Sequence, residues 1–371
     1  MIHFISKVLG VALMAVMGVS DLQAQSHIWK SVNTGDGTTY AIESDGSLWS
    51  WGWNESGQMG TNGGSTKNST PTQVGDDNDW KMSCGGQAYA FFIKNDGTLW
   101  SVGDNSNGVS GVGDGATNHK VPTQVGTDKD WKTVNCSRFY GHTALAIKTD
   151  GTLWGWGDGR LGQIGTGSYA SKSTPVQIGT DNDWAQVSLG NNFTIALKTN
   201  GTLWGWGVNQ NKPLMNSSKY VTKPVQLGTD NDWVYVFAVV ETAYGIKKDG
   251  SLWVWGSNDG NMSGIQDADI EMIASPSKLV FGAGEKVVAI SGSDYNRYVA
   301  VGEDGVITKI YSWGTNADGA LGDGSGVAVD ASSGIKTVVE PVVVKLPAGV
   351  KATQLASGIG HCVVLSTDGK I

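Results

Sequence analysis

Beyond residue 24 the chain has no apolar run long enough to cross a membrane, and nowhere does it carry a run of basic residues. Charge of either sign is scarce: charged residues make up 16% of the 371, against a usual roughly 25%. Few charges fit a structure in which most strand faces are buried. The net charge is −8, and an acidic surface repels a phosphate backbone, which argues against nucleic acid as a partner. The eight prolines are outnumbered by 54 glycines, a proportion that suits a chain built from tight turns. Five histidines (His3, His27, His119, His142, His361) fall in no pattern with a serine or cysteine and an acid, so a nucleophilic triad is not indicated. No metal or cofactor is expected.

Three cysteines are too few for a disulfide framework. Cys84 (KMSCGG) and Cys136 (TVNCSR) read as matching positions in neighbouring repeats, and Cys362 falls in the next strand of the last one. Matching positions on adjacent units rarely meet at disulfide distance, so all three read as small buried thiols.

The N-terminus has the pattern of an export signal. Lys7 precedes a twelve-residue apolar run, Val8 to Val19, and Leu22-Gln23-Ala24 offers a small residue before a cleavage point at Gln25. Twelve residues are too short to span a bilayer. The expectation is a signal peptide over 1–24, a mature domain over 25–371, and an extracellular, cell-surface or periplasmic address.

What the sequence has in abundance is one repeated unit. An Asp-Gly or Asn-Gly pair recurs seven times between short apolar runs, at Gly46, Gly97, Gly151, Gly201, Gly250, Gly305 and Gly369, spaced 51, 54, 50, 49, 55 and 64 residues apart. Such a period means one supersecondary unit stacked repeatedly. The third copy, Trp131 to Asp183, shows four strand-length runs, with Asp150-Gly151 as the hairpin signal between the second and third. Six prolines (Pro71, Pro122, Pro175, Pro224, Pro276, Pro341) start the fourth run. Proline cannot donate to a ladder, so that run belongs at the outer edge. Four-stranded sheets repeated about an axis make a β-propeller.

Fifteen of sixteen tryptophans occupy three slots. Trp29, Trp80, Trp131, Trp184 and Trp233 open the first strand. Trp49, Trp100, Trp154, Trp204 and Trp253 follow the turn. Trp51, Trp156, Trp206, Trp255 and Trp313 come two residues after that second slot. Positions i and i+2 share a strand face, so each blade presents a tryptophan stripe to one neighbour. One indole buries about 150–250 Å², worth at most about 4–6 kcal/mol. The core is therefore assigned to these tryptophans.

The motifs WGWNESGQMG (Trp51–Gly60), WGDGRLGQIG (Trp156–Gly165) and WGTNADGALG (Trp313–Gly322) resemble the W-G-x-N-x-x-G-Q-L-G signature of the regulator of chromosome condensation family. The resemblance runs from Trp29 to Ile371. It implies an all-β, seven-bladed propeller of about 50-residue repeats, with blades starting near residues 29, 80, 131, 184, 233, 286 and 351. The tight GTDNDW spacer looks like a bacterial secreted branch, similar in architecture to a secreted β-lactamase inhibitory propeller. The fourth copy (WGVNQNKPLM, Trp206–Met215) departs from the signature, and the fifth and sixth carry long irregular segments, Ser257–Glu285 and Thr315–Gly349. The seventh stops two residues past its turn, which predicts an incomplete seventh blade and reads as a shortened form of a longer protein.

Two other motifs are absorbed by the repeat. Gly157-Asp158-Gly159-Arg160-Leu161-Gly162 matches a dinucleotide pattern, but no helix follows it. The acid pairs of the spacers, such as Asp181 and Asp183, supply too few oxygens for calcium and read as turn formers. Nucleotide exchange, the activity of the family's nuclear member, is incompatible with export. Binding remains. In a meander the first-to-second and third-to-fourth loops share one face, and variable loops carry function. On that face the candidate ligand-binding residues are Tyr89, Arg138, Phe139, Tyr140, Phe193, Tyr295 and Arg297 near the axis, with Trp53, Tyr169 and Tyr220 further out. Aromatics with arginine make binding hot spots. The sequence therefore predicts a non-enzymatic exported scaffold for a protein partner. A carbohydrate-binding propeller and a structural module of a larger surface protein stand as alternatives.

Overall fold

The computed structural model describes residues 27–115, 117–138, 141–267, 269–316, 319–324 and 337–371, so the expected signal segment lies outside the described residues. In the first blade, strands Trp29–Thr34, Thr38–Glu43, Leu48–Trp53 and Lys67–Gln73 pair antiparallel in chain order. The same four-stranded meander recurs in the next four blades. Their innermost strands are Trp80–Gly85, Trp131–Cys136, Trp184–Leu189 and Trp233–Val239. The outermost strand carries the proline, which sits inside it rather than at its start. In the first blade the register slips between Ser50 and Gly52, opposite the stretch from Asn68 to Thr72 that holds Pro71. A bulge on an edge strand is where a residue without an N–H is tolerated.

The architecture is an all-β propeller of six blades, which corrects the expectation of seven. The last hairpin, Ala352–Gly358 with His361–Ser366, joins the sixth sheet instead of founding its own. The physical reason lies in the sixth turn. Asp304 and Gly305 both take positive φ, 52° and 78°, the combination of a two-residue type I′ turn. That turn lets strands Asn296–Glu303 and Val306–Thr315 run on past the length of their counterparts, and Ile307 there pairs with Ala352. In the first five blades the turn is wider. Glu43 N–H donates to the Ser47 carbonyl at 2.9 Å, and among the turn's residues only Gly46 takes positive φ.

Those wider turns anchor a chain of hydrogen bonds built from the Asp-Gly-Ser/Thr-Leu-Trp sequence. In the third blade Thr152 Oγ1 donates to Asp150 Oδ1 at 2.7 Å and accepts from Trp154 Nε1 at 3.0 Å. The first, second, fourth and fifth blades repeat it. A lysine then closes over the indoles. Lys148 Nζ lies 2.6 Å from Asp128 and 3.1 Å from Asp130, and 4.8 and 4.5 Å from the ring centres of Trp131 and Trp154. Lys94, Lys198 and Lys247 do the same in their blades. The spacer acids thus clamp a lysine as well as closing turns. Burial works against the charge on Lys148, but Asp128 and Asp130 outweigh it and hold its pKa above the ordinary lysine value. The first blade exchanges the charges: Glu43 takes the lysine position, and His27 stacks on Trp29 and pairs with Glu43 at 3.2 Å.

The third tryptophan slot joins the blades. Trp156, Trp206, Trp255 and Trp313 are fully buried. Their indole N–H groups donate to Val109, Gln163, Pro213 and Met262 carbonyls of the preceding blade at 2.9–3.0 Å. The second slot (Trp49, Trp100, Trp154, Trp204, Trp253) is only half-buried, because its outer cover is the clamp rather than a neighbouring sheet. Trp51 is half-buried too, and packs with Trp29 against Ala356, Val363 and Leu365 of the last hairpin.

The two indole slots therefore differ in cost. Trp156→Ala should destabilise by about 3–5 kcal/mol as a core truncation. Trp154→Ala should lose about half as much. Equal losses in chemical denaturation would contradict the division.

Candidate functional site

The seven innermost strands, the last being Ala352–Gly358, surround an axial cavity of about 200 Å³. Side chains at its wall tie neighbouring blades together. Gln186 exchanges two 3.0 Å hydrogen bonds with the Val236 backbone, and Ala238 N–H donates to Ser188 Oγ at 2.8 Å. Arg138 lines the cavity and reaches across the axis, donating from Nη1 to the Ser357 carbonyl at 2.5 Å.

The mouth on the first-to-second loop side gathers polar groups that the sequence did not single out. Asp36 is 2% exposed. Its N–H donates to Gly86 O at 3.2 Å and its carbonyl accepts from Ile359 N at 2.7 Å, so the second blade and the last hairpin both hold it. Asp36 Oδ1, Asp294 Oδ1, Asn191 Oδ1 and His361 Nε2 have no hydrogen-bond partner among the described residues. Burial pushes the Asp36 carboxyl up to about 8, with Arg138 opposing and Asp294 adding to the rise. Burial likewise raises Asp294 to about 6 against Arg297. It lowers His361, with the Ile359 carbonyl opposing and Arg138 adding to the fall. At neutral pH burial therefore favours the protonated, neutral form of Asp36.

The predicted site residues divide. Trp53, 55% exposed, lies flat over the Gly37 backbone beside Asp36, where a Cβ would come within 2.6 Å of the ring. Tyr295, 51% exposed, follows Asp294. These two and Arg138 share the axial side of the face. Tyr169, 55% exposed, meets Tyr220 edge to face at 6.5 Å, a separate pair on the rim of the third and fourth blades. Phe139 and Tyr140 lie outside the described residues.

Tyr89, Phe193 and Arg297 are buried and are removed from the binding face. Tyr89 Oη donates to the Ser137 carbonyl at 2.9 Å, and Arg297 Nε donates to Tyr244 Oη at 3.2 Å, so both join blades. A local signal foretells the inward turn of the rings: a glycine three residues earlier. The rings of Tyr89, Phe193 and His361 fold back over Gly86, Gly190 and Gly358, where a Cβ would stand 2.1–2.6 Å away. The dinucleotide-like motif is spent on itself, Arg160 Nη2 donating to Asp158 Oδ2 at 2.7 Å. Among the described residues no group of three or more His, Cys, Asp or Glu is placed to hold a metal ion, and no helix is long and apolar enough to cross a membrane.

A propeller of tryptophan-lined meanders around a narrow axis is the class the geometry defines. Models of the regulator of chromosome condensation (RCC1) repeat match residues 45–93, 150–197 and 309–365, and a second form of that repeat matches 29–58 and 184–212. The chain therefore carries repeats of this family. It is 32% identical over 166 residues to the ultraviolet-B receptor UVR8 of Arabidopsis thaliana, a match covering 43% of this chain and 37% of the receptor. It is 29% identical over 150 residues to the human regulator of chromosome condensation, covering 38% of this chain and 33% of that protein. The matches thus span little more than a third of these relatives. Among solved structures, human WBSCR16 superimposes with a TM-score of 0.78 at 21% identity, over 92% of this chain and 88% of that one. Prp20p of Saccharomyces cerevisiae gives 0.72 at 19%, over 88% and 80%. These likenesses are likenesses of fold.

The Asp36 carboxyl makes a pH prediction. Its folded pKa, about 8, is above the ordinary 3.8, so folding takes up a proton between those values and stability falls as pH rises through that window. Asp36→Asn removes the effect. The variant's thermal midpoint should match the parent's below pH 4 and exceed it increasingly up to pH 8, by the equivalent of a few kcal/mol. A difference that does not change with pH would contradict the buried neutral acid.

Proposed function

We propose that this chain is a non-enzymatic binding scaffold, exported from the cell, that docks a protein partner on the loop face around the axis. The observation that carries the reading is the exposure of Trp53 and Tyr295 on the same face as Arg138 and the buried acids, while the other tryptophans are built into the blades. Large rigid aromatics next to an arginine, set on a stiff framework, are what protein hot spots are made of. Relatives of the same fold bind proteins: yeast Prp20p has been described with Gsp1p and histones, and bound to Kap60. Export rests on the Lys7 and Val8–Val19 pattern. It separates this chain's partner from a nuclear one and makes an envelope or extracellular protein the natural target.

Affinity capture from the native envelope and medium, with the full chain as bait, tests this reading. A retained protein should lose at least about 30-fold in affinity to Trp53→Ala or Tyr295→Ala, whereas Tyr169→Ala on the rim should change it little. Retention of glycan alone, lost in Trp53→Ala, would overturn the protein-partner reading in favour of a sugar-stacking one.

A further inference from the structure

The strand register corrects the placing of two cysteines. Cys84 pairs with Phe91 and Cys136 with Ala144. Cys84 is therefore the fifth residue of its innermost strand and Cys136 the sixth of the next. They are offset by one, and that offset is the one at which neighbouring blades touch. Elsewhere the fifth residue's side chain accepts from the sixth residue's N–H in the following blade: Asn33 Oδ1 from Gly85 at 3.1 Å, Ser188 Oγ from Ala238 at 2.8 Å. With a hydroxymethyl reach of about 2.4 Å and an N–Cα bond of about 1.46 Å, the latter contact keeps its two Cα atoms within about 6.7 Å. Disulfides join Cα atoms about 4.4–6.8 Å apart. Cys84 and Cys136 occupy this geometry between the second and third blades. Both line the axial cavity, together with Arg138.

We propose that Cys84 and Cys136 form a redox-active pair whose oxidation staples the second blade to the third. Cys84 is the attacking thiol. Its pKa is lowered, first by hydrogen bonding to Cys136 and also by the Arg138 charge, whereas burial pushes Cys136 well up. The thiolate is the nucleophile. A small two-electron oxidant such as hydrogen peroxide fits the cavity. Cys84 sulfur attacks one peroxide oxygen, the O–O bond breaks, and the departing hydroxide takes a proton to become water. Cys136 sulfur then attacks the Cys84 sulfenic acid, the S–O bond breaks, and the second hydroxide leaves as water with the Cys136 proton. Two thiols are oxidised by two electrons and one peroxide is reduced to two waters. Cys362, on the second strand of the last hairpin, takes no part.

The proposal is independent of the partner and of export. The full chain, reduced and then treated with one equivalent of peroxide, is alkylated in denaturant, digested and analysed by mass spectrometry. The expected result is a cross-linked peptide pair containing Cys84 and Cys136, about 2 Da lighter than the two thiol peptides, with Cys362 alkylated. Dithiothreitol reverses the link, and Cys84→Ser abolishes it while Cys362→Ser does not. The oxidised protein should melt on the order of 5 °C above the reduced one, since the link closes a long loop. Three alkylated thiols after treatment, or a link through Cys362, would overturn the pairing. A proven link with an unchanged midpoint would overturn the staple.

Discussion

The ring depends on neighbouring sheets meeting through a third-slot side chain, a tryptophan in every blade but the second, where the buried Val102 takes the place. An isolated four-stranded meander of this composition has a face of two or three indoles and nothing of its own to cover it. The following geometry resolves that: the third-slot indole enters the loop of the preceding blade and gives its N–H to a carbonyl there, as Trp156 does to Val109. Burial and hydrogen-bond satisfaction are thus met by a single contact, which is the condition for hiding an indole without leaving a donor unpaired. In the second to fifth blades the first and second slots are closed by a lysine that sits between two aromatic faces and two carboxylates. Each blade is a half-finished core completed by its neighbour.

The same constraint identifies where the ring is weakest. The last hairpin contributes two strands where the other units contribute four; one backbone bridge joins it to the sixth sheet, apolar contacts pack it against the first and sixth sheets, and polar contacts tie it to the first blade. These include Val32 N–H to Gln354 Oε1 at 3.0 Å and Trp29 N–H to the Gly369 carbonyl at 2.8 Å. It has no clamp, since Ser366 stands in the lysine position. Arg138, reaching over the axis to Ser357, and the Ser291–Ser357 hydroxyl pair at 2.7 Å add ties from the opposite and the sixth sides. The polar mouth therefore contributes to closure as well as forming the centre of the proposed binding face.

Much of this was legible in the chain. The strand order and the propeller class followed from the period, because a spacing of about fifty residues with tryptophans in fixed slots leaves few alternatives. Three things were not. The blade number failed because the Asp304-Gly305 turn has the same letters as the others but closes in two residues, and letters do not report φ. The lysine clamp was invisible because Lys148 and Asp128 lie twenty residues apart and meet only once the spacer is folded. The site suffered most. Tyr89, Phe193 and Arg297 stand near loops yet point inward, and Asp36, a lone acid between two glycines, belongs to no motif although the fold buries it. Direction, rather than residue type, separates a ligand contact from a structural one.

The central claim, that cohesion resides in the tryptophan contact between neighbouring blades and is weakest where the last hairpin stands in for a full sheet, is most directly tested by native-state hydrogen exchange of the full chain. Amides of Ala352–Gly358 and His361–Ser366 should exchange through a local opening well before those of Trp131–Cys136 and Trp184–Leu189, which should open only with global unfolding. Equal protection across the hairpin and the middle blades would contradict it.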